Sequence, residues 1–252
     1  MNFFFILIIL FVILGLLYYN TSLYLIKKRA DIFLTKDKLY NFLINDSDNF
    51  YDKFKPIDIL VRNVNSVDEY KKIIFNSIDE FTINEMRILM TAIQNCNNYL
   101  LNVNIPGFNG KKCNKMAWQI GCIDGNEYEA GLPHTRGHVI LFPRYKLTLN
   151  QSSFTRTLIH ERIHIYQKKY PEDLEIYLKN KGYKRYKPIH ITKTRANPDL
   201  NDWTYLDKDS NIMSAEYISN PKSIRDVIFI PKNSPEYEHP FEKMATDIAR
   251  NY

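Results

Sequence analysis

The chain shows three patterns of apolar and polar residues. Residues 3–19 form an uncharged apolar run. In residues 30–103, apolar positions recur three and four residues apart, as they do on one face of an amphipathic helix. From residue 104 to about residue 145, short apolar runs lie between turn pairs such as Pro106-Gly107, which is typical of strands and hairpins. The pattern therefore predicts an α+β fold in which a helical region, residues 30–103, precedes a mixed region, residues 104–252.

Several elements are predicted in more detail. Residues 66–77 form one helix, and a capping box of Thr82 and Glu85 opens the next, whose apolar stripe is typical of core packing. Strands are predicted within the runs 116–123 and 138–142.

The second half of the mixed region is predicted to alternate between helices and loops. A helix begins near Ser152 or Ser153 and stops around residues 170–171, and residues 171–181 form another. Residues 186–230 are predicted to be loop-rich with short extended pieces, before a last helix over about residues 240–251.

The N-terminal run predicts a single transmembrane helix over residues 1–26. A cleaved signal peptide is the alternative, but the basic start and small-residue cleavage site of such peptides are missing. No Lys or Arg precedes the run and Lys27-Lys28-Arg29 follows it, so we expect a single-pass membrane protein with its catalytic domain in the cytosol. Glycosylation of the sequons at Asn20, Asn45 and Asn150 would instead argue for the lumenal side.

Composition narrows the classes of protein. Hydrophobic residues make up 45% of the 252 residues, which excludes wholesale disorder. The net charge of +6 is spread over scattered Lys and Arg residues, so no nucleic-acid partner is predicted. Three cysteines without a CxxC pair (Cys96, Cys113 and Cys122) indicate neither a disulfide framework nor a cysteine zinc finger.

The candidate chemistry lies in the helix predicted from about residue 152, where residues 160–164 read His-Glu-Arg-Ile-His. Residues four apart lie on the same helix face, so His160 and His164 can bind one Zn²⁺ ion. Glu161 can then act as general base on a water activated by the zinc. An ordinary amphipathic helix with a polar pair is the alternative, but the apolar residues that flank the motif favour a buried zinc helix.

A catalytic zinc site needs a third protein ligand. Glu242, in the first turn of the last predicted helix, is the preferred candidate, and Glu216 is its main rival. The other downstream candidates are His190, Glu236, Glu238 and His239.

Three further residues are weaker candidates for substrate binding. His134 and Arg136, in a segment bounded by Gly and Pro, could bind a substrate carbonyl, although a surface-loop pair is the simpler interpretation. Arg195 could orient substrate together with Asn197-Pro198-Asp199, for which an Asx-capped turn is the simpler interpretation. Gln167 is expected to pack or cap.

The motif His160-Glu161-x-x-His164, with a distant Glu242 in Pro-x-Glu-x-x-Ala, resembles the gluzincin class of zinc metallopeptidases. It is also similar to uncharacterised proteins of large DNA viruses and microbes. The resemblance implies a zincin-like domain over residues 104–252, bound Zn²⁺ and a peptide or protein substrate. It further implies that the strand run 131–142 forms a sheet edge that pairs with the substrate backbone. The spacing between His164 and Glu242 is long for this class, so we expect an insertion that contains residues 195–219.

Two hypotheses follow for the function. The first is a membrane-anchored zinc metallopeptidase in which His160, His164 and Glu242 bind zinc and Glu161 is the base. The alternative is a catalytically silent, membrane-tethered structural or adaptor protein on a zincin-like fold. Intact Glu161 favours the first, because a silent relative can lose the base freely.

Overall fold

A computed structural model describes residues 31–231 and 237–252, and these residues form an α+β fold, as predicted. No helix within these ranges is both long enough and apolar enough to cross a membrane. The anchor predicted over residues 1–26 lies outside the described residues.

Eight α-helices are present in the described residues. They are α1 (Lys36–Asn45), α2 (Pro56–Leu60), α3 (Val67–Ser77), α4 (Ile83–Leu100), α5 (Gly110–Asn114), α6 (Gln151–Lys169), α7 (Pro171–Lys181) and α8 (Pro240–Arg250).

The described part of the chain contains ten strands in three sheets. The strands are β1 (Ile78–Asp79), β2 (Asn104–Ile105), β3 (Phe108–Asn109), β4 (Ile120–Ile123), β5 (His134–Arg136), β6 (Val139–Pro143), β7 (Lys184–Pro188), β8 (Trp203–Leu206), β9 (Ile212–Tyr217) and β10 (Val227–Ile230). The first sheet has the order β1-β4-β6-β5, in which β4 and β6 are parallel and the outer pairs are antiparallel. The second is fully antiparallel with the order β10-β9-β8-β7, and the third is the hairpin β2-β3.

Local capping explains where the predicted helices begin. The capping box of α4 is confirmed, because Thr82 Oγ1 accepts from the Glu85 amide and Glu85 accepts from the Thr82 amide. The helix α6 begins at Gln151, next to the predicted start at Ser152 or Ser153, since Asn150 is its N-cap and accepts from the Ser153 amide at 2.8 Å.

Residues 186–230 are loop-rich with short extended pieces, as predicted, but the sequence did not show that these pieces form a sheet. The four strands pair in sequence order into the antiparallel sheet β7–β10. The strand β7 is exposed or half-buried along its whole length, so it lacks the apolar alternation that identifies a strand.

The helix α6 lies in the centre of the largest core. It packs between α4 and α8, and α7 follows it directly. Several of its polar residues are therefore buried as well; among them, the guanidinium of Arg162 donates to the backbone carbonyls of Cys113, Met116 and Ala117. Because α4 belongs to the helical region and α6 and α8 to the mixed region, the two regions share one core.

Candidate metal centre

Two neighbouring helices bring His160, His164 and Glu242 together. The histidines lie one turn apart on α6, and Glu242 is the third residue of α8, whose N-cap is His239. The small residues Ala245 and Ala249 are buried where α8 packs on α6, as the sequence suggests. Close helix packing therefore positions the carboxylate opposite both imidazoles.

The ligand atoms of these three residues converge on one point. His160 Nε2 lies 3.0 Å from His164 Nε2 and 3.1 Å from Glu242 Oε2, and His164 Nε2 lies 3.6 Å from Glu242 Oε1. Zinc ligands at about 2.0–2.2 Å in tetrahedral geometry lie about 3.3–3.6 Å apart. One of the three separations lies in this range and the other two are about 0.2–0.3 Å shorter, so a small outward shift of the side chains would accommodate a zinc ion. Two imidazole nitrogens and a carboxylate are also the donor types that zinc prefers.

Gln167 fixes the orientation of His164. Its Oε1 lies 2.9 Å from His164 Nδ1, and its Nε2 donates to the backbone carbonyl of Phe241 at 3.0 Å. An amide oxygen accepts, so Nδ1 carries the ring proton and Nε2 keeps the lone pair that a metal needs. Gln167 therefore does more than pack or cap: it links the second histidine to the helix that carries Glu242. Its position three residues after His164, on the same helix face, could have revealed this role.

The charges of the three residues depend on one another. Burial alone would lower the pKa of His164, but the adjacent Glu242 carboxylate raises it to about 9. Burial would raise the pKa of Glu242, yet the two imidazoles hold it well below its usual value. Without a metal the centre thus holds a proton that a cation would replace.

Glu161 is buried beside this centre with an uncommitted carboxylate oxygen. Its Oε2 has no hydrogen-bond partner among the described residues. One ligand atom each of Glu161, His164 and Asp199 lie within 4.8 Å of one another. Burial, followed by the charge of Asp199, raises the pKa of Glu161 well above its usual value. Asp199 itself is held by the amide and hydroxyl of Thr135, each at 2.6 Å.

The rival third ligands lie elsewhere. Glu216 is in β9, where it pairs with Ile228, and it does not join His160 and His164 in the groups of potential ligands among the described residues. His190 is exposed in a short turn.

Glu238 and His239 are close to the centre but have other partners. Glu238 is paired with Arg195. His239 accepts from the Phe241 amide and donates to Trp203 O, and burial lowers its pKa to about 3. Glu236 lies outside the described residues.

The structure changes the interpretation of Arg136. It lies in the buried strand β5, so the surface-loop interpretation is wrong. All three guanidinium nitrogens are engaged: Nε and Nη2 bind Asp48, Nη2 also binds Asp46, and Nη1 donates to Tyr128. The predicted substrate contact of Arg136 is therefore corrected to a structural role, since the buried guanidinium uses four of its five N–H groups to bind Asp46, Asp48 and Tyr128.

The strand β5 is an edge of its sheet, as the predicted pairing with substrate requires, but its outward groups are occupied. The amide of Thr135 donates to Asp199, and its carbonyl accepts from Lys168 Nζ at 3.0 Å. A substrate backbone cannot bond these two groups without displacing Lys168 and Asp199.

A cavity of about 250 Å³ opens beside Glu161. His134 from β5 and Arg195 both line it, so two of the three residues predicted to bind substrate lie at the candidate site. Asp199 and Glu238 also line the cavity. The sequence did not show that these two residues lie together, because their positions depend on the path of the chain after β7.

Comparisons of the chain with protein-family models, with curated proteins and with solved structures gave no match.

Proposed function

We propose that the chain is a zinc-dependent metallopeptidase that hydrolyses peptide bonds in a peptide or protein substrate. The observation that carries the proposal is the convergence of His160, His164 and Glu242 next to the uncommitted carboxylate of Glu161. In this proposal residues 1–26 hold the enzyme in a membrane with its site in the cytosol, as the sequence predicts.

Each residue of the centre has a distinct task in this function. His160, His164 and Glu242 hold the ion, and Gln167 keeps His164 in the tautomer that binds it. Bound Zn²⁺ supplies Lewis acidity, which acidifies a water molecule and polarises the scissile carbonyl. Glu161 would accept the proton of the attacking water at its free oxygen and return it to the leaving amine.

The first test is the zinc content of the purified full chain, measured by elemental mass spectrometry. We expect about one zinc per chain, lost in His160→Ala and Glu242→Ala. The matched control is Glu216→Ala, which removes a carboxylate from β9 and should keep the zinc. A well-folded wild type that takes up no zinc, even when zinc is offered, would contradict the proposal.

A second variant separates the enzyme from a silent scaffold. Glu161→Gln should keep the zinc and lose hydrolysis of a peptide library, because the amide cannot accept the proton. A wild type that binds zinc and cleaves no peptide would favour the structural or adaptor alternative. Unchanged cleavage by Glu161→Gln would exclude Glu161 as the base.

A further inference from the structure

Two buried side chains present unpartnered hydrogen-bond acceptors to the cavity beside Glu161. His134 is 2% exposed, and its Nδ1 lies 2.9 Å from the carbonyl of Leu132, so Nδ1 carries the proton and Nε2 is an acceptor. Glu238 is 5% exposed; its Oε1 accepts from Arg195 and Asn197, at 2.7 and 2.8 Å. His134 Nε2 and Glu238 Oε2 have no partner in the described residues, and both residues line the cavity.

The charged residues around the cavity, like the free acceptors, favour a positively charged ligand group. Its carboxylates outnumber its single arginine, Arg195, whose Nη1 donates to Ile224 O and whose Nη2 is paired with Glu238. One unpartnered donor, Arg195 Nε, opposes the acceptors. The carboxylates belong to Glu129, Glu161, Asp199, Glu238 and Glu242.

After compensation the cavity lining keeps an excess of one negative charge, because two carboxylates remain and Arg195, paired with Glu238, offsets one of them. Arg62 binds Glu129 through two nitrogens, and a dication held by the two histidines and Glu242 would offset that residue and Glu161. Glu238 and Asp199 are left on the wall against Arg195. A ligand group that donates hydrogen bonds and carries positive charge satisfies this wall, whereas a carboxylate would meet it with repulsion.

The size of the cavity suits a single side chain. About 250 Å³ is less than the roughly 300–1,000 Å³ of pockets that enclose a whole small ligand. Leu132, Ile224 and Phe229 add apolar surface, against which the methylene stem of a long cationic side chain can pack.

Building on the proposed peptidase function, we propose that this cavity selects a positively charged group of the peptide substrate. The group is either the side chain of a Lys or Arg residue near the scissile bond or the ammonium group of the peptide N terminus. Glu238 Oε2 accepts a charge-assisted hydrogen bond from it, and His134 Nε2 accepts a second.

The test compares peptides that differ at one position, which holds Lys, Arg, norleucine or Glu, each with a free and an acetylated N terminus. Cleavage by the zinc-loaded full chain is followed by mass spectrometry. A charged hydrogen bond in a buried site predicts about a ten- to hundredfold preference for Lys or Arg over norleucine. If the N-terminal ammonium is the selected group, peptides with a free N terminus should be cleaved about ten- to hundredfold faster than acetylated ones, whichever residue occupies the varied position.

Substitutions connect the preference to the wall. Glu238→Gln replaces the free acceptor by a donor and should abolish most of the preference, whereas Glu175→Gln, on the exposed face of α7, should leave it intact. Because Glu238→Gln leaves the buried Arg195 unpaired, circular dichroism must first show that the variant folds. His134→Phe keeps the ring and the wall charge, and should reduce the preference by about three- to tenfold.

A binding measurement separates failure of this inference from failure of the proposed function. Fluorescence anisotropy of the same peptides on Glu161→Gln should show Lys or Arg peptides, or free N termini, bound more tightly than neutral ones. This measurement needs no hydrolysis, so it decides the inference even for a protein that cleaves nothing. Zinc uptake and cleavage with a preference for norleucine or Glu, or equal binding of all peptides, would overturn the inference and leave the peptidase proposal standing.

Discussion

Gln167 offers the sharpest test of the candidate metal centre, because it contacts both helices without being a ligand. Its Oε1 holds the Nδ1–H of His164, and its Nε2 binds the carbonyl of Phe241, next to Glu242. Gln167→Leu fills the same space and removes both hydrogen bonds. The variant therefore leaves a buried donor on His164 and a buried acceptor on Phe241.

The expected size of the effect follows from these two contacts. Each buried group left without its partner costs about 1–3 kcal/mol of folding free energy. Loss of the hydrogen bond that orients a ligating histidine lowers metal affinity about 10- to 100-fold. Gln167→Glu keeps the acceptor for His164 and loses the donor to Phe241. It should therefore lower stability while zinc affinity stays within about threefold of wild type.

The two readouts are measured separately on the full chain. Zinc affinity is obtained by competition with a chromophoric chelator at neutral pH, and stability by urea denaturation of the metal-free protein. The matched control is Gln151→Leu, which makes the same substitution at an exposed position of the same helix. Wild-type zinc affinity in Gln167→Leu, or an equal loss in Gln151→Leu, would refute the role assigned to Gln167.

Three further predictions concern charge and burial. Burial opposes protonation of His164, but Glu242 raises its pKa to about 9. In the metal-free protein the stability that this pair contributes is therefore complete below pH 6.5 and is lost as the pH rises through 9, which urea denaturation across this range measures. Calorimetry in different buffers should show about one proton released per zinc bound at neutral pH. Arg136→Met should destabilise the fold by about 1–3 kcal/mol, because it removes a buried guanidinium and leaves the half-buried carboxylates of Asp46 and Asp48 without their partner. Arg185→Met, in an exposed pair, should cost less than about 1 kcal/mol, and equal losses in denaturation would contradict the structural role of Arg136. All three cysteine thiols are buried with raised pKa values, so a thiol reagent at mildly alkaline pH should label none of them in the folded protein and all of them in urea, and fast labelling without urea would refute this burial.

Features that depend on local contacts could be predicted from the sequence. The start of α4 follows from a capping box that spans four residues, and the pairing of His160 with His164 follows from the pitch of a helix. Glu242 could be proposed because Pro240 marks a helix start nearby. In the first two cases the interacting groups lie within about one turn of helix, so their geometry is fixed before the fold is known. For Glu242 only its place in the first turn of its own helix is local, and its contact with His160 depends on the fold.

Features that depend on distant contacts could not be predicted. The exposed strand β7 lacks apolar alternation, and it pairs with β8 through residues as far apart in sequence as Lys184 and Leu206. Arg136 was assigned to a surface loop because its neighbours are Gly and Pro, while its actual partners, Asp46 and Asp48, lie far away in the helical region. Likewise, no local signal places Asp199 beside Glu161.

The contacts of the helical region show that it supports the candidate site rather than merely preceding it. Asp58, in α2, is fully buried, and its Oδ1 accepts from the Ala196 amide at 3.0 Å and from the Tyr217 hydroxyl at 2.8 Å. Ala196 lies in the cavity wall, within the segment predicted as part of an insertion. Arg62 holds Glu129 on the same cavity.

These contacts give a physical reason for the long spacing between the histidines and Glu242. His160 and Glu242 are 82 residues apart, and the intervening chain forms α7 and the sheet β7–β10 before α8 returns to α6. On that path the chain places Arg195, Asn197 and Asp199 along the cavity. An appendage on the surface would leave the cavity lined only by the elements that precede it and by α8, whereas here the additional chain builds part of the cavity wall. The same stretch of chain therefore accounts for the long spacing and for the carboxylates of Asp199 and Glu238 on that wall.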